Sequence, residues 1–115
     1  MVHERRRSFR CPVQIPVYVS IGSKPEFMAT SVNISEVGMA LKNSPGLQVG
    51  DRITVRLMLP HAEAAAKINA EVCWRDAAGS AGMQFVQVPG QVKEQLASWL
   101  ADRLEEHLQG EAVAK

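Results

Sequence analysis

Residues 67–88 read KINAEVCWRDAAGSAGMQFVQV, and this stretch decides the fold. Every second residue from Ile68 to Trp74 is apolar and polar residues lie between them, which is the period-two pattern of a strand with one buried face. Residues 77–80 are small and include a glycine, as is typical of a turn, and a second apolar run follows at residues 81–88. The stretch therefore predicts an antiparallel β-hairpin.

Four more strands are predicted toward the N-terminus, three from the same alternation and one, residues 39–41, from a short apolar run. The predicted strands are residues 11–20, 28–34, 39–41 and 52–59, and clusters of Gly, Pro, Asn and Ser separate them. Residues 61–66 have helical propensity but are too few to form a helix without packing support, so we expect a loop or a single turn. Short strands followed by one helix indicate a mainly β protein, a small antiparallel barrel or sandwich whose helix covers an end or a face.

A helical period begins after Pro89-Gly90. The apolar residues then recur at spacings of three and four, as Val92, Leu96, Trp99, Leu100, Leu104 and Leu108. We predict one amphipathic helix within residues 89–109, with Trp99 in the core, and a disordered tail at residues 110–115. The expected organisation is one domain, with a flexible arm at residues 1–10 and the strands at residues 11–88.

Composition places the chain among ordinary folded domains. Its 115 residues are 46% hydrophobic and 22% charged, unlike disordered or membrane proteins. No apolar run approaches the roughly 20 residues that span a bilayer, and residues 1–10 lack the apolar core of a signal peptide. We expect a cytoplasmic protein with no membrane insertion. Cys11 and Cys73 lie in predicted strands, where we expect buried thiols in a reducing compartment.

Charge is concentrated at the N-terminus. Residues 1–10 carry four arginines and one glutamate, whereas the whole chain has 13 Lys and Arg against 12 Asp and Glu. The remainder is therefore slightly acidic, so a site for an anion is expected near the N-terminal end. The planar fork of an arginine suits phosphate oxygens and the O6/N7 edge of guanine. On its own, the cluster also fits a solvated basic arm.

A second polar motif lies at residues 33–38, where Asn33, Ser35 and Gly38 fit the pattern Asp/Asn-x-Ser-x-x-Gly. Taken alone it is an ordinary turn. Arg6 and Arg10, however, form an Arg-x-x-x-Arg pair just before the first strand. Together the two motifs resemble the signatures of the PilZ domain, and the similarity continues over residues 4–108.

The resemblance implies a six-stranded antiparallel β-barrel with a C-terminal helix, which binds cyclic di-GMP and needs no metal. It implies that the arm folds over one rim when the nucleotide binds. Arg6 and Arg10 would contact guanine and phosphate, with Arg5 and Arg7 adding phosphate contacts or stacking on a base. Asn33 and Ser35 would contact the guanine edge and the backbone, and Gly38 would keep the turn open.

Trp74 is a candidate stacking platform for a base. Core filling is the alternative, because the alternation of its strand also puts Trp74 on the buried face. We further expect that the arm is mobile when free and becomes ordered on nucleotide binding.

No pattern of a catalytic or metal site stands out. His3, His61 and His107 are scattered, and no Cys/His spacing resembles a zinc site. Ser35 lies in no Gly-x-Ser-x-Gly elbow. We therefore expect a receptor and not an enzyme.

Three functions compete. The leading hypothesis is a cyclic di-GMP receptor that changes conformation and signals to a protein partner, which the sequence does not identify. A PilZ-like adaptor that works without nucleotide is the alternative, and the intact motifs weigh against it. A small barrel that binds nucleic acid is the third, but the chain lacks a basic stripe beyond residue 10.

Overall fold

The structure is a computed structural model that describes residues 9–113, with side chains described as far as Gln109. Seven strands precede one long helix. The elements are β1 (Cys11–Pro12), β2 (Pro16–Ser20), β3 (Phe27–Ile34), β4 (Gly38–Lys42), β5 (Arg52–Leu57), β6 (Ala66–Arg75), β7 (Ala81–Gln87) and α1 (Gly90–Val113). Residues 61–65, between β5 and β6, form a loop, as predicted.

Six of the strands close into an antiparallel barrel. The pairing order runs β3, β2, β5, β6, β7, β4, and a pairing between β3 and β4 completes the ring. β1 is an extra strand that pairs with the end of β3. The prediction of a six-stranded antiparallel barrel with a C-terminal helix is confirmed.

The prediction of one continuous strand at residues 11–20 was wrong, because this segment forms two strands, β1 and β2. Pro12 and Pro16 lack the N–H that a regular ladder needs. The side chain of Ser31, fully buried on β3, bridges the interruption. Its Oγ accepts a hydrogen bond from the Ile15 N–H at 3.0 Å and donates one to the Val13 carbonyl.

Bulges break the alternation at three places in the barrel. The register shifts by one residue at Val32 on β3, at Cys73 on β6 and at Val86 on β7. Each extra residue changes which face the neighbouring side chains occupy. Cys73 follows Asn69 and Glu71 on the outward face of β6 and is exposed, so the prediction that both cysteines are buried holds for Cys11 and is wrong for Cys73.

The helix packs against β1 and β6 and contributes three side chains to the core: Leu96, Trp99 and Leu100. The core position predicted for Trp99 is confirmed, since only 8% of the residue is exposed. The helix extends to Val113, so its predicted end at residue 109 is too early and residues 110–113 are not a disordered tail. No proline interrupts this segment, and Gly110 alone costs only about 1 kcal/mol.

Residues 1–8 and 114–115 lie outside the described residues, as does most of the predicted arm. In the part that is described, no helix is both long and apolar enough to cross a membrane.

Candidate functional site

A single cross-strand row on the outer wall of the barrel joins the two sequence motifs to Trp74. Asn33 on β3 pairs with Ala40 on β4, Ala40 pairs with Gly82 on β7, and Gly82 pairs with Trp74 on β6. Adjacent strands lie about 4.8 Å apart, so Asn33 and Trp74 are separated by roughly 14 Å along the row. Small residues occupy the middle of the row: Ala40 lies beside Asn33, and Gly82 lies beneath the Trp74 indole.

Arg10 and Asn33 form one end of the row. The exposed guanidinium of Arg10 donates a hydrogen bond from Nη1 to Asn33 Oδ1 at 2.7 Å. β1 holds this geometry, because Pro12 pairs with Asn33 just beyond Arg10. The structure therefore brings together one residue from each motif across 23 positions of sequence. Within the described part of the chain, the Asn33 amide NH₂ remains available as a donor.

Ser35 organises the turn that follows β3. Its Oγ donates to the Gly38 carbonyl and accepts from the Val37 and Gly38 N–H groups, each at 3.2 Å. A hydroxyl has one proton and two lone pairs, so these three bonds use its full capacity. Ser35 is fully buried. Its hydroxyl shapes the turn, and the contact with guanine implied by the resemblance stays a prediction.

Gly38 allows two strands to pack closely, and its predicted role of keeping the turn open stays a prediction. Its backbone does not have a positive φ, but a Cβ there would lie 2.2 Å from the carbonyl oxygen of Met83. The glycine therefore lets β4 approach β7 closely at the start of the strand. This places the turn at residues 35–38 firmly against the barrel, and the Phe85 N–H donates to the Val37 carbonyl at 2.8 Å.

Trp74 forms the other end of the row and is 46% exposed, so the alternative that it fills the core is wrong. The bulge at Cys73 turns it outward. Its indole covers Gly82 so closely that a Cβ on that glycine would lie 2.0 Å from Nε1 and 2.4 Å from Cε2. One side of the indole thus rests on the barrel wall, and the residue keeps a large exposed surface for a planar partner.

Cationic side chains surround the row. Arg10 lies at one end, and Arg75 follows Trp74 at the other, where its Nη1 donates to Gln48 Oε1 at 3.4 Å. Lys42 is two residues after Ala40 on β4 and therefore shares its face of the strand. The described part of the site thus favours an anionic ligand with flat, hydrogen-bonding groups. Arg5, Arg6 and Arg7 lie outside the described residues.

The root of the arm is attached to the helix, which the sequence patterns did not indicate. Phe9 packs against the core, and its ring centroid lies 5.9 Å from that of His107 on α1. Burial raises the pKa of the neighbouring Cys11 thiol, and the charge of Arg103 on α1 partly opposes this. A Phe beside four arginines gave no periodic signal, so only the tertiary structure shows this contact.

Metal ligands do not converge in the described part of the chain: its His, Cys, Asp and Glu side chains form no group of three or more that could hold an ion.

Comparison with known proteins identifies related folds. The family model for the PilZ domain matches residues 4–102. No curated protein matches the chain significantly in sequence. The Bacillus subtilis inhibitor of motility MotI/DgrA is similar in structure, with a TM-score of 0.72 at 20% identity over 91% of this chain. The chain spans 52% of that protein, or about half its length.

Two isolated PilZ domains match over nearly their whole length. The PilZ domain of YcgR from Escherichia coli, solved with cyclic di-GMP, has a TM-score of 0.64 at 19% identity and covers 94% of each chain. The PilZ domain of CeSA from a cellulose-synthesizing bacterium has a TM-score of 0.64 at 22% identity, over 78% of this chain and 92% of its own. At these identities the likeness shows the fold alone.

Proposed function

Since the chain belongs to the PilZ domain family, we propose that it is a receptor for cyclic di-GMP and not an enzyme. The observation that carries the proposal is the hydrogen bond between Arg10 and Asn33, which joins the two motifs at one end of the row. An exposed indole stands at the other end of the same row.

The chemistry of each group suits a guanine nucleotide. A guanine edge presents acceptors at O6 and N7, which a guanidinium can engage with two parallel hydrogen bonds. Asn33 offers both an acceptor and a donor in one amide, so it can pair with the donor and acceptor groups of a guanine edge. The exposed side of Trp74 can stack on a base, an interaction worth about 1–3 kcal/mol in nucleic-acid complexes.

Binding would release Arg10 from Asn33, so each side chain exchanges one partner for the ligand. We assign Arg6 to the same role as Arg10, and Arg5 and Arg7 to the phosphates or to stacking on a base. Ser35 and Gly38 support the site by fixing the turn behind Asn33, since both are committed to packing and hydrogen bonds there. No metal takes part in this scheme.

The response that we propose is a change in the arm. Nucleotide contacts to Arg6 and Arg10 would fold the arm over the row, and a protein partner in the cytoplasm would recognise the new surface. Phe9 supports this route, because it links the arm to the helix through His107. Neither nucleic acid nor a membrane is a partner in this proposal.

Isothermal titration calorimetry tests the proposal against its alternatives. We expect cyclic di-GMP to bind, with GTP, cyclic di-AMP and a short single-stranded oligonucleotide each at least about tenfold weaker, a difference of about 1.4 kcal/mol. Equal or tighter binding of the oligonucleotide would support a nucleic-acid-binding barrel. Absence of binding by every nucleotide would support an adaptor that works without one.

A further inference from the structure

We infer that Gly82 is a positioning residue for the nucleotide site, because its missing side chain lets the Trp74 indole lie on the barrel wall. The inference rests on the proposed function and assigns a role to a residue outside both sequence motifs. Gly82 and Trp74 face each other across β7 and β6. The two residues act together: Trp74 supplies the stacking surface, and Gly82 leaves the space in which the indole lies.

The contact between the two residues leaves no room for a methyl group. A Cβ on Gly82 would lie 2.0 Å from Nε1, 2.4 Å from Cε2 and 2.7 Å from Cδ1 of Trp74. Carbon atoms in proteins pack at about 3.5–4.0 Å, so all three distances are far too short. Any residue other than glycine at position 82 must therefore displace the indole or the strand.

The indole and not the strand should move. Trp74 is 46% exposed, so its ring can swing outward into solvent with little resistance from neighbours. Gly82 has no positive φ, so alanine suits its backbone conformation. Gly38 is the contrasting case, because a Cβ there would meet the Met83 backbone oxygen at 2.2 Å and could be accommodated only if a strand moved.

Displacement of the indole should weaken nucleotide binding without touching any ligand contact directly. The ring now rests directly on Gly82, which sets its position against the barrel wall. A ring that swings freely loses this preorganised position and must be ordered again when a base stacks on it. Gly82 therefore sets affinity through Trp74 alone, and this dependence distinguishes a positioning role from a general structural one.

Four variants test the inference by calorimetric titration with cyclic di-GMP: Gly82→Ala, Trp74→Ala, the double variant, and Gly90→Ala as the matched control. Gly90 has open space around its Cβ position and no positive φ. We expect Trp74→Ala and Gly82→Ala each to weaken binding about 5- to 100-fold. The double variant should bind within about twofold of Trp74→Ala, and Gly90→Ala should bind like the wild type.

Tryptophan fluorescence supplies a readout that needs no ligand. The chain has two tryptophans, and Trp99 is in the core, so a change in solvent exposure at Trp74 dominates any shift in emission. Gly82→Ala should shift the emission to longer wavelength, while circular dichroism and the midpoint of thermal unfolding report an intact fold. The Gly90→Ala spectrum should match the wild type.

The outcomes separate this inference from the proposed function. Wild-type affinity in Gly82→Ala, or a double variant whose loss is the product of the two single losses, would overturn the positioning role. Full binding by Trp74→Ala alongside a wild type that binds would also overturn it and leave the proposed function intact. A wild type that does not bind cyclic di-GMP would overturn both.

Discussion

At Arg10, one substitution can distinguish the effect of positive charge from the effect of hydrogen-bond geometry. Lysine keeps the positive charge but cannot offer two parallel hydrogen bonds to a guanine edge. We predict that Arg10→Lys weakens cyclic di-GMP binding about 5- to 100-fold in a calorimetric titration, which corresponds to about 1–3 kcal/mol. The control is Arg52→Lys, whose exposed ion pair with Glu71 lies on the β5–β6 side of the barrel and contributes little energy. Binding within twofold of the wild type would mean that position 10 acts only by charge.

Substitution of Ser35 tests whether its hydroxyl supports the turn, independently of any contact with a ligand. Alanine at this position would leave the Val37 and Gly38 N–H groups without their side-chain acceptor, and the Gly38 N–H is buried. We predict that Ser35→Ala lowers the free energy of unfolding by about 1–3 kcal/mol, measured by urea denaturation. Ser23→Ala, in an exposed turn, should change it by less than about 0.5 kcal/mol. An unchanged free energy of unfolding in Ser35→Ala would contradict the role of Ser35 in shaping the turn.

At the scale of elements, the strands that follow local alternation could be predicted from sequence. The hairpin at residues 67–88 was predicted correctly because its periodicity and its turn residues agree. Pro12 and Pro16 indicated the interruption between β1 and β2, but the alternation of residues 13–19 was given more weight. The bridging role of Ser31 could not be predicted, since Ser31 is distant in sequence. The exposure of Trp74 could not be predicted either. The bulge at Cys73 arises from pairing with β7, and it places Trp74 on the face opposite to the one that the alternation indicates.

The N-terminal arm is the element on which the proposed response depends. We predict that the backbone amides of residues 2–10 gain protection from hydrogen exchange when cyclic di-GMP is saturating. Charge-assisted hydrogen bonds from the arginines to two phosphates would offset an ordering cost of about 1–2 kcal/mol per residue. GTP at the same concentration is the control and should leave the protection unchanged. Equal exchange with and without cyclic di-GMP would rule out this switching mechanism even if the nucleotide binds.

For the molecule as a whole, the closed barrel provides the wall on which the row lies. Four strands contribute one residue each to the row, so barrel closure fixes the distance between Asn33 and Trp74. The sequence motifs indicated Arg10 and Asn33, and the structure brings them into contact. Ala40 and Gly82 carry no motif signal, because their importance lies in what their small size permits.

The site also lies near the only helix in residues 9–113. Phe9 contacts α1 and Arg10 contacts β3, so two consecutive residues tie the arm to both parts of the molecule. Movement of Arg10 toward a ligand would therefore act on the helix contact through the adjacent backbone. Phe9 and Arg10 thus connect the Asn33 end of the row to the helix.

Binding of cyclic di-GMP at the row is tested most directly by a titration of the ¹⁵N-labelled protein with the nucleotide, followed by NMR. The two tryptophans give separate indole N–H signals, one from Trp74 in the row and one from Trp99 in the core. We predict that the signals of Trp74, the Asn33 side-chain amide and the backbone of Arg10 shift together and saturate, while that of Trp99 stays in place. Signals at Arg10, Asn33 and Trp74 that remain unchanged at saturating nucleotide would contradict this prediction.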